Sequence, residues 1–193
     1  MAERAGISEW RRLYQKLTAE RSVEYEPYHP GADAVKAAAK RFESDAGCRL
    51  PRSYTTFSQV FGPGELGGYY RICIPGDEKC GYDLATEHAL ARETHSPSDS
   101  YEQGELLGRL LYFATTIGGE FVGWDPLDVT DSTGPEYRVY YVTRRPTAKA
   151  VAGSFPEFVS EICLKYRLHE FFGWQNNNPP DWPPQEFLPY AVG

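Results

Sequence analysis

The sequence predicts an α+β fold, in which a mostly antiparallel central sheet is packed by N-terminal helices and a C-terminal helix. Three observations support this. Helical periodicity dominates residues 8–61, short segments rich in aromatic and β-branched residues dominate residues 67–143, and helical periodicity returns after Ser154. Helices grouped before and after a run of strands are typical of α+β proteins rather than of alternating β-α-β units. We expect the 193 residues to form one domain.

Two amphipathic helices are predicted near the N-terminus. Ser8 can cap a helix over residues 8–19, because a serine hydroxyl accepts hydrogen bonds from the free N–H groups of a first turn. Asp33 can cap a second helix over about residues 34–46, and Gly47 can end it in the left-handed conformation that glycine favours. In both segments apolar residues recur every three or four positions. This spacing predicts helices that pack on a core.

The next segment is predicted to contain a third helix, a first strand and a fourth helix. Leu50-Pro51 begins the third helix, since proline is tolerated in a first helical turn, and Gly62-Pro63-Gly64 ends it. Residues 67–74, GGYYRICI, have the aromatic and β-branched composition of a strand. Residues 82–94 then predict a helix, and residues 95–100, HSPSDS, predict a mobile surface loop.

The central feature is a predicted β-hairpin between Arg109 and Pro126. Both faces of its first strand, RLLYFATT, are apolar, which predicts a strand that is covered on both sides. Ile117-Gly118-Gly119 supplies the turn, because glycine accepts the positive φ of tight hairpin loops. The return strand runs from Glu120 to Trp124. We expect it to stop at Asp125-Pro126, since proline lacks the N–H that continues a ladder.

The C-terminal part adds a strand, a helix and an extension. Residues 137–143, YRVYYVT, have the composition of a strand. Ser154 can cap the last helix, which presents a broad apolar surface up to about residue 166. Residues 175–193 are expected to form a Pro-rich extension, because its first part, QNNNPPDWPP, is too rich in turn-forming residues for regular structure.

Composition and charge exclude several classes of function. The formal net charge is −7 and the isoelectric point is near 5.2, which argues against a nucleic-acid partner and favours a basic protein partner. No segment approaches the roughly 18 consecutive apolar residues that cross a bilayer, and the polar N-terminus does not resemble a signal peptide. The sequence therefore predicts a cytoplasmic protein without a membrane partner. Its four cysteines form no C-x-x-C pair, which favours inert thiols over a redox or zinc pair at Cys73 and Cys80.

The usual catalytic motifs are missing from the sequence. There is no G-x-S-x-G, no H-E-x-x-H and no Gly-rich phosphate loop. Asp125, Asp128 and Asp131 are close in sequence, but their spacing differs from the D-x-D-x-D-G pattern of calcium loops, and turn formation explains them without a ligand. We therefore expect a protein that is not an enzyme and that has no cofactor and no metal site.

An acidic and aromatic set is the predicted partner-binding surface. Its hairpin members are expected near one end of the hairpin, where an aromatic anchor beside carboxylates can meet a basic protein. Two further members join them if the turn before residue 82 folds to the same edge. The alternative is that the tryptophan belongs to the core and that the acids are solvated. The set consists of Glu120, Trp124, Asp125, Asp128, Tyr82 and Asp83.

Three motifs, taken in their order along the chain, resemble the SUKH superfamily. They are Leu50-Pro51-x-x-Tyr54-x-x-Phe57, a strand-turn-strand block with Gly118-Gly119-Glu120 and Trp124-Asp125, and Ala152-x-Ser154-Phe155-x-x-Phe158. The resemblance covers roughly residues 34–166. The chain departs from the family pattern in its N-terminal helix, in the long segment between Ile74 and Gly108, and in its Pro-rich tail.

The resemblance implies a non-enzymatic protein-binding domain. The superfamily includes bacterial immunity proteins, which neutralise the toxins of neighbouring cells, and a fungal regulator of cell-wall assembly. The first hypothesis is therefore an immunity protein that binds and blocks a protein toxin, such as a basic nuclease. The second is a regulatory or scaffold module in cell-wall or signalling control. The departures from the family pattern leave the partner open, because additions to one fold commonly redirect its function.

Overall fold

A computed structural model describes residues 6–19, 25–95, 102–165, 167–173 and 185–191. Helices lie in residues 7–61, in residues 84–109 before the central hairpin, and in residues 155–172 after the strand Ala148–Ala152. The helix of Phe155 continues directly as a π-helix over Phe158–Cys163. The helices of the described residues are α1 Ile7–Thr18, α2 Ala32–Ala46, α3 Arg52–Phe61, α4 Leu84–Thr94, α5 Gly104–Arg109, α6 Phe155–Glu157 and α7 Leu168–Phe172.

Within the described residues, one sheet of seven strands forms the centre of the fold. Its strand order is β6-β5-β4-β3-β2-β1-β7, and every neighbouring pair is antiparallel. The predicted α+β class with an antiparallel sheet is thus confirmed. The strands are β1 Gly64–Leu66, β2 Tyr70–Ile72, β3 Leu111–Thr116, β4 Phe121–Asp131, β5 Glu136–Val142, β6 Ala148–Ala152 and β7 Phe187–Pro189.

Helices cover both faces of the sheet. Successive side chains of a strand point to opposite faces, so Tyr112 and Phe113 of β3 mark the two sides. Phe113 belongs to the larger apolar cluster, to which α1, α3 and α6 contribute. Tyr112 belongs to a smaller cluster that includes Ala91 of α4 and Leu107 of α5. Burial of β3 on both faces, as predicted from its apolar composition, is confirmed.

Aromatic rings join the three motif segments in the larger cluster. Phe113 and Trp124 stack across the β3–β4 pair with ring centroids 3.9 Å apart. Tyr54 of α3 meets the Trp124 ring edge-on at 4.8 Å, and Phe155 of α6 meets Tyr54 at 5.2 Å. Edge-on and stacked pairs of this kind add to the free energy gained by burial. The motifs thus lie together because their aromatic residues form one core.

The predicted strand over residues 67–74 is wrong in its extent. Gly67 and Gly68 form a tight turn between β1 and β2, with φ values of 59° and 62°. The loop between the paired residues Leu66 and Tyr70 is three residues long, and glycine adopts its two successive positive φ values without steric strain. The segment therefore contributes a turn and one short strand, β2, which pairs with β1 just before it.

Strand β4 does not stop at Asp125-Pro126, as the sequence predicted, but continues to Asp131. The ladder passes from Trp124 opposite Val139 to Val129 opposite Tyr137, so four residues of β4 lie in a bulge. A bulge leaves its extra residues unpaired, which is why Pro126 needs no N–H there. Arg109, the expected start of the hairpin, ends α5 instead.

Other boundaries differ at the helix termini and in the last strands. Gly6 and Gly31, rather than Ser8 and Asp33, occupy the N-cap positions of α1 and α2. Gly47 ends α2 in the left-handed conformation, and the Ser154 hydroxyl accepts the N–H of Glu157, as predicted. Strand β6 was not predicted. His95 is buried rather than part of a surface loop, while residues 96–100 lie outside the described part.

The C-terminal extension contains regular structure. Strand β7 pairs with β1, and Phe187 is fully buried between Phe61 of α3 and Tyr14 of α1. The extension, predicted over residues 175–193 and expected to be irregular in its Pro-rich first part, thus contains at Phe187–Pro189 a strand that was not predicted. Its Pro-rich first part, residues 175–184, lies outside the described residues. Apolar side chains at the end of the chain thus complete the core at the β1 edge.

Candidate functional site

The predicted surface residues of the hairpin do not gather at one end of it. Thr115 lies opposite Phe121, so Glu120 is at the tight turn, whereas Trp124 lies opposite Leu111 at the start of β3. At about 3.3 Å per residue, Glu120 and Trp124 are ~13 Å apart along the strand. Asp125 and Asp128 lie still farther from the turn, in the bulge of β4. The sequence predicted these four residues at or near one end of the hairpin, joined by Tyr82 and Asp83 if the turn before them folds to the same edge, and the structure divides the set among separate locations.

Glu120 is held by neighbours at the turn. Its Oε2 accepts a hydrogen bond from the Tyr69 hydroxyl at 3.0 Å, and the Thr116 hydroxyl donates to the same oxygen. Arg144 places its Nε 3.6 Å from the other carboxylate oxygen. The Glu120 carboxylate therefore helps to fix the β3–β4 turn and is already balanced by a cation.

Trp124 lies in the core and has 0% of its surface exposed. Its indole stacks on Phe113, and its Nε1 has no hydrogen-bond partner among the described residues. In this conformation Trp124 offers no atom to a binding partner. The placement agrees with the alternative interpretation of the sequence, in which the tryptophan is a core residue.

Asp125 is buried and paired with the arginine that ends α5. Arg109 donates from Nε and Nη2 to the two carboxylate oxygens, at 3.0 Å and 2.8 Å, and the Leu127 N–H donates to Oδ1 at 3.0 Å. Burial favours the neutral carboxyl, but the hydrogen bonds from Arg109 and Leu127 outweigh it, so the pKa of Asp125 is lowered. The same contacts raise the pKa of Arg109. Asp125 thus braces the bulge against α5.

Asp128 forms a second ion pair within the bulge. Arg138 of β5 donates from Nε to Oδ2 at 2.7 Å, and the Tyr140 hydroxyl donates to the same oxygen at 3.2 Å. Burial, followed by the charge of Asp128, raises the pKa of Tyr140. Both members of the ion pair are partly exposed, at 33% for Asp128 and 42% for Arg138. This pair therefore lies where a partner can reach it.

The braced bulge presents aliphatic side chains to solvent. Leu127 is 76% exposed and Val129 is 49% exposed, which makes Leu127 the most exposed of the large apolar side chains described. Bulges commonly change the direction in which a side chain points, and here the ion pairs of Asp125 and Asp128 hold the backbone of the bulge in one conformation. We call this region the bulge surface. It consists of Leu127, Asp128, Val129, Arg138 and Tyr140, of which Val129 shares the sheet face of its neighbour Tyr137, whereas Arg138 and Tyr140 point to the opposite face.

Sequence reasoning missed the apolar half of the bulge surface. Leu127 and Val129 alternate with acids in LDVTD, an alternation that indicated a continuing strand with an apolar side. The expected break at Pro126 hid that signal. The basic partners of the acids, Arg109 and Arg138, could not be assigned from sequence because tertiary contacts bring them there.

Tyr82 and Asp83 are structural parts of the turn before α4. Asp83 accepts the N–H groups of Ala85 and Thr86 as the N-cap of α4, and it also accepts the Gly76 N–H at 2.9 Å. The Tyr82 ring lies 4.9 Å from the ring of Tyr190, beyond the last strand. These residues sit on the β2 side of the sheet and do not join the bulge surface.

Glu136 is a buried acid that the sequence did not single out. Its carboxylate accepts the N–H of Ser53 in the first turn of α3 at 3.3 Å and the N–H of Phe155, the first residue of α6, at 3.2 Å. Burial raises the pKa of Glu136, and these hydrogen bonds only partly oppose the rise. One side chain of β5 thus connects the starts of the first and third motif helices.

The described residues show neither a metal-binding cluster nor a membrane-spanning helix. They contain no group of three or more His, Cys, Asp or Glu side chains placed to hold a metal ion. None of their helices has the length and apolarity needed to cross a bilayer. Cys48, Cys73, Cys80 and Cys163 are all free thiols.

A protein-family model matches most of the chain. The model of the SMI1 / KNR4 family (SUKH-1) matches residues 34–161. The matched range runs from the first turn of α2 into the π-helix, and it includes the bulge surface and Glu136. Helix α1 and strand β7 lie outside it. A search of curated proteins found no match to the chain.

Proposed function

The chain belongs to the SMI1 / KNR4 family (SUKH-1), and from this we propose that it is an immunity protein that binds and neutralises a protein toxin. The family contains immunity proteins and fungal regulators, and its members bind protein partners. Neutralisation by binding requires a surface that captures the toxin and covers its active region. It requires no catalytic group on the immunity protein.

The bulge surface is the observation that supports this function. An exposed aliphatic anchor, Leu127, precedes Asp128, which holds an arginine and a tyrosine, two residue types that are enriched at binding hot spots. The Asp128–Arg138 ion pair holds these groups before a partner arrives. A surface fixed in advance loses less conformational entropy on binding, which favours affinity.

The charge of the chain supports a basic toxin, but not through the acids that the sequence emphasised. Asp125 and Asp128 are paired with Arg109 and Arg138, so the bulge surface is close to electrically balanced. The net charge of −7 acts at longer range and accelerates the encounter with a basic partner. Free thiols agree with action in the reducing cytoplasm.

The test is co-expression with the toxin encoded beside the gene. Wild-type protein should restore growth and form a stoichiometric complex, and Leu127→Asp should weaken the complex at least about tenfold, as expected for a hot-spot anchor. Leu90→Asp is the matched control, because Leu90 of α4 is also exposed, at 50%. Equal complexes from both variants would exclude the bulge surface. No protection by wild-type protein would exclude the immunity function.

A regulatory or scaffold module in cell-wall or signalling control is the second candidate. The observation that favours it is the addition of α1 and β7, which pack on each other through Tyr14 and Phe187 outside the range that the family model matches. Additions to a shared fold commonly redirect function. A gene neighbourhood without a toxin, and a growth or cell-wall defect on deletion in the absence of any toxin, would favour this candidate.

A further inference from the structure

A polar cleft opens between α3, the start of α1 and the turn that joins β4 to β5. Its volume is about 300 Å³, near the lower limit of small-molecule sites and suited to one long side chain rather than to a helix or strand. Neither the family comparison nor the bulge surface assigns it a role. The residues that matter here are Arg52, Ser53, Thr56, Gln59, Gly134 and Glu136.

The innermost charged group of the cleft is a carboxylate without a cationic partner. Glu136 is 8% exposed, and within the described part of the chain it forms no ion pair. Its two oxygens each accept one backbone N–H, from Ser53 and Phe155. Burial of a carboxylate without a counter-charge is unfavourable, and an added cation relieves that penalty.

Residues of α3 with acceptor oxygens line the same cleft as this carboxylate, together with Arg52. Ser53 is 4% exposed, and its hydroxyl approaches Glu136 closely enough to affect its pKa without forming a hydrogen bond of normal geometry. The Thr56 hydroxyl donates to the Arg52 carbonyl, so its lone pairs remain available as acceptors. The Gln59 amide stands one turn farther along α3. These oxygens match the three donors of an ammonium group.

The geometry favours an ammonium group over a guanidinium group. A guanidinium binds a carboxylate best when both oxygens are free for two parallel hydrogen bonds. In Glu136 both oxygens already accept an N–H group. A compact ammonium charge needs only one oxygen and can take its other acceptors from hydroxyl or amide groups.

We propose that this cleft receives a lysine side chain of the protein partner, whose ammonium group pairs with Glu136. The inference rests on the proposed function for the existence of a protein partner. Position supports it, because Glu136 and Tyr137 of β5 lie opposite Asp131 and Val129 of β4, so that the cleft and the bulge surface share one hairpin. A basic partner would also carry exposed lysines.

The test uses the complete protein and a lysine probe, so it does not depend on a toxin. The probe is Nα-acetyl-lysine amide, which keeps its side-chain ammonium group, and Nα-acetyl-norleucine amide is the uncharged control. Each is titrated while the backbone amide signals of Ser53, Thr56 and Gln59 are followed by NMR. We expect saturable shifts from the lysine probe, with a dissociation constant on the order of 10 mM, weakening in salt. Equal shifts from the two probes, or none, would overturn the proposal.

Variants at the mouth of the cleft keep the test independent of folding. Gln59 is half-buried, so Gln59→Lys and Gln59→Glu should both fold, which circular dichroism would verify. Gln59→Lys should abolish binding of the lysine probe, and Gln59→Glu should tighten it about threefold or more. Equal binding by both variants would refute the role of charge.

The outcomes separate this proposal from the immunity function. Probe binding without growth rescue would support the lysine cleft and contradict the immunity function. Growth rescue without probe binding, together with an unchanged toxin complex in Gln59→Lys, would contradict the lysine cleft and support the immunity function.

Discussion

The Arg109 guanidinium and the Asp125 carboxylate form a two-pronged ion pair, with Nε 3.0 Å from Oδ1 and Nη2 2.8 Å from Oδ2. The pair joins the end of α5 to the bulge of β4, on the side of the sheet where the smaller apolar cluster lies. Asp125 is 2% exposed, whereas Arg109 is about one-third exposed. An acid that looked like a contact for a basic partner therefore fixes the bulge, and changes at Asp125 act on folding first.

Arg109→Met should lower the free energy of unfolding by about 2–3 kcal/mol, because it leaves the buried Asp125 carboxylate without its cation. Glu105→Gln is the control, since Glu105 lies 3.6 Å from the same guanidinium but is 95% exposed. The control should change stability by less than about 0.5 kcal/mol. Urea denaturation of both variants measures the difference. Similar losses in the two would contradict the assignment of the ion pair.

Stability should fall as the pH decreases from about 6.5 to 4, in part because of His88. Its Nδ1 accepts the Tyr112 N–H at 3.2 Å, and burial, helped by Arg92, lowers its pKa from 6.5 to about 4. Between these values the unfolded chain binds the proton and the folded chain does not. The contribution of His88 to the free energy of unfolding is therefore fully present above pH 6.5 and is lost as the pH falls towards 4.

The variant that checks this effect is His88→Asn, whose side-chain oxygen can still accept the Tyr112 N–H. Melting curves at pH 7 and pH 4.5 should show a smaller loss in the variant, by about 1–2 kcal/mol after allowance for the partial exposure of the ring. Other acid-sensitive groups, Asp125 among them, contribute equally to both proteins. An identical pH dependence would exclude His88 as a source.

Trp124→Ala should act on the core and not on an interface. Removal of a fully buried indole that stacks on Phe113 should cost about 3–5 kcal/mol of stability. Any of the variant that remains folded should bind a partner with unchanged affinity, measured by calorimetry at a temperature where both proteins are native. A selective loss of affinity with normal stability would show that Trp124 becomes exposed during binding.

Phe187→Ala should destabilise the protein by about 3–4 kcal/mol, although Phe187 lies outside the range that the family model matches. The ring is fully buried against Phe61 and Tyr14. Leu188→Ala is the control on the same strand, because the side chain of Leu188 is only partly buried. Thermal unfolding of the two variants measures the difference, and comparable melting temperatures would mean that β7 is dispensable.

Segments with a single strong period were predictable from the sequence. Helices α1, α2 and α3 follow their apolar spacing, and Gly47 and Ser154 act where their backbone or side-chain chemistry suggested. Strand β6 could not be recognised because AKAVA has weak β propensity and forms a strand through its pairing with β5. The bulge of β4 was missed for a related reason, since only the pairing partner shows that a strand resumes after a proline.

The candidate site was less predictable than the fold. Sequence identified the acids Glu120, Asp125 and Asp128 but could not supply the arginines that neutralise them, which come from α5, β5 and the loop after it. It also could not separate a core tryptophan from an exposed anchor, because both occur in an apolar strand. Tertiary structure alone makes Leu127 exposed and Glu136 buried, so the sequence predicted neither as a site residue.

Strand β7 also sets a condition on how the chain can be synthesised. The edge of β1 and the apolar gap that Phe187 fills are synthesised before the segment that covers them. Until β7 is synthesised and docks, the nascent chain exposes a strand edge and a hydrophobic gap, the combination that promotes aggregation and chaperone recruitment. A change that keeps β7 from docking would prolong that exposure and should lower the soluble yield.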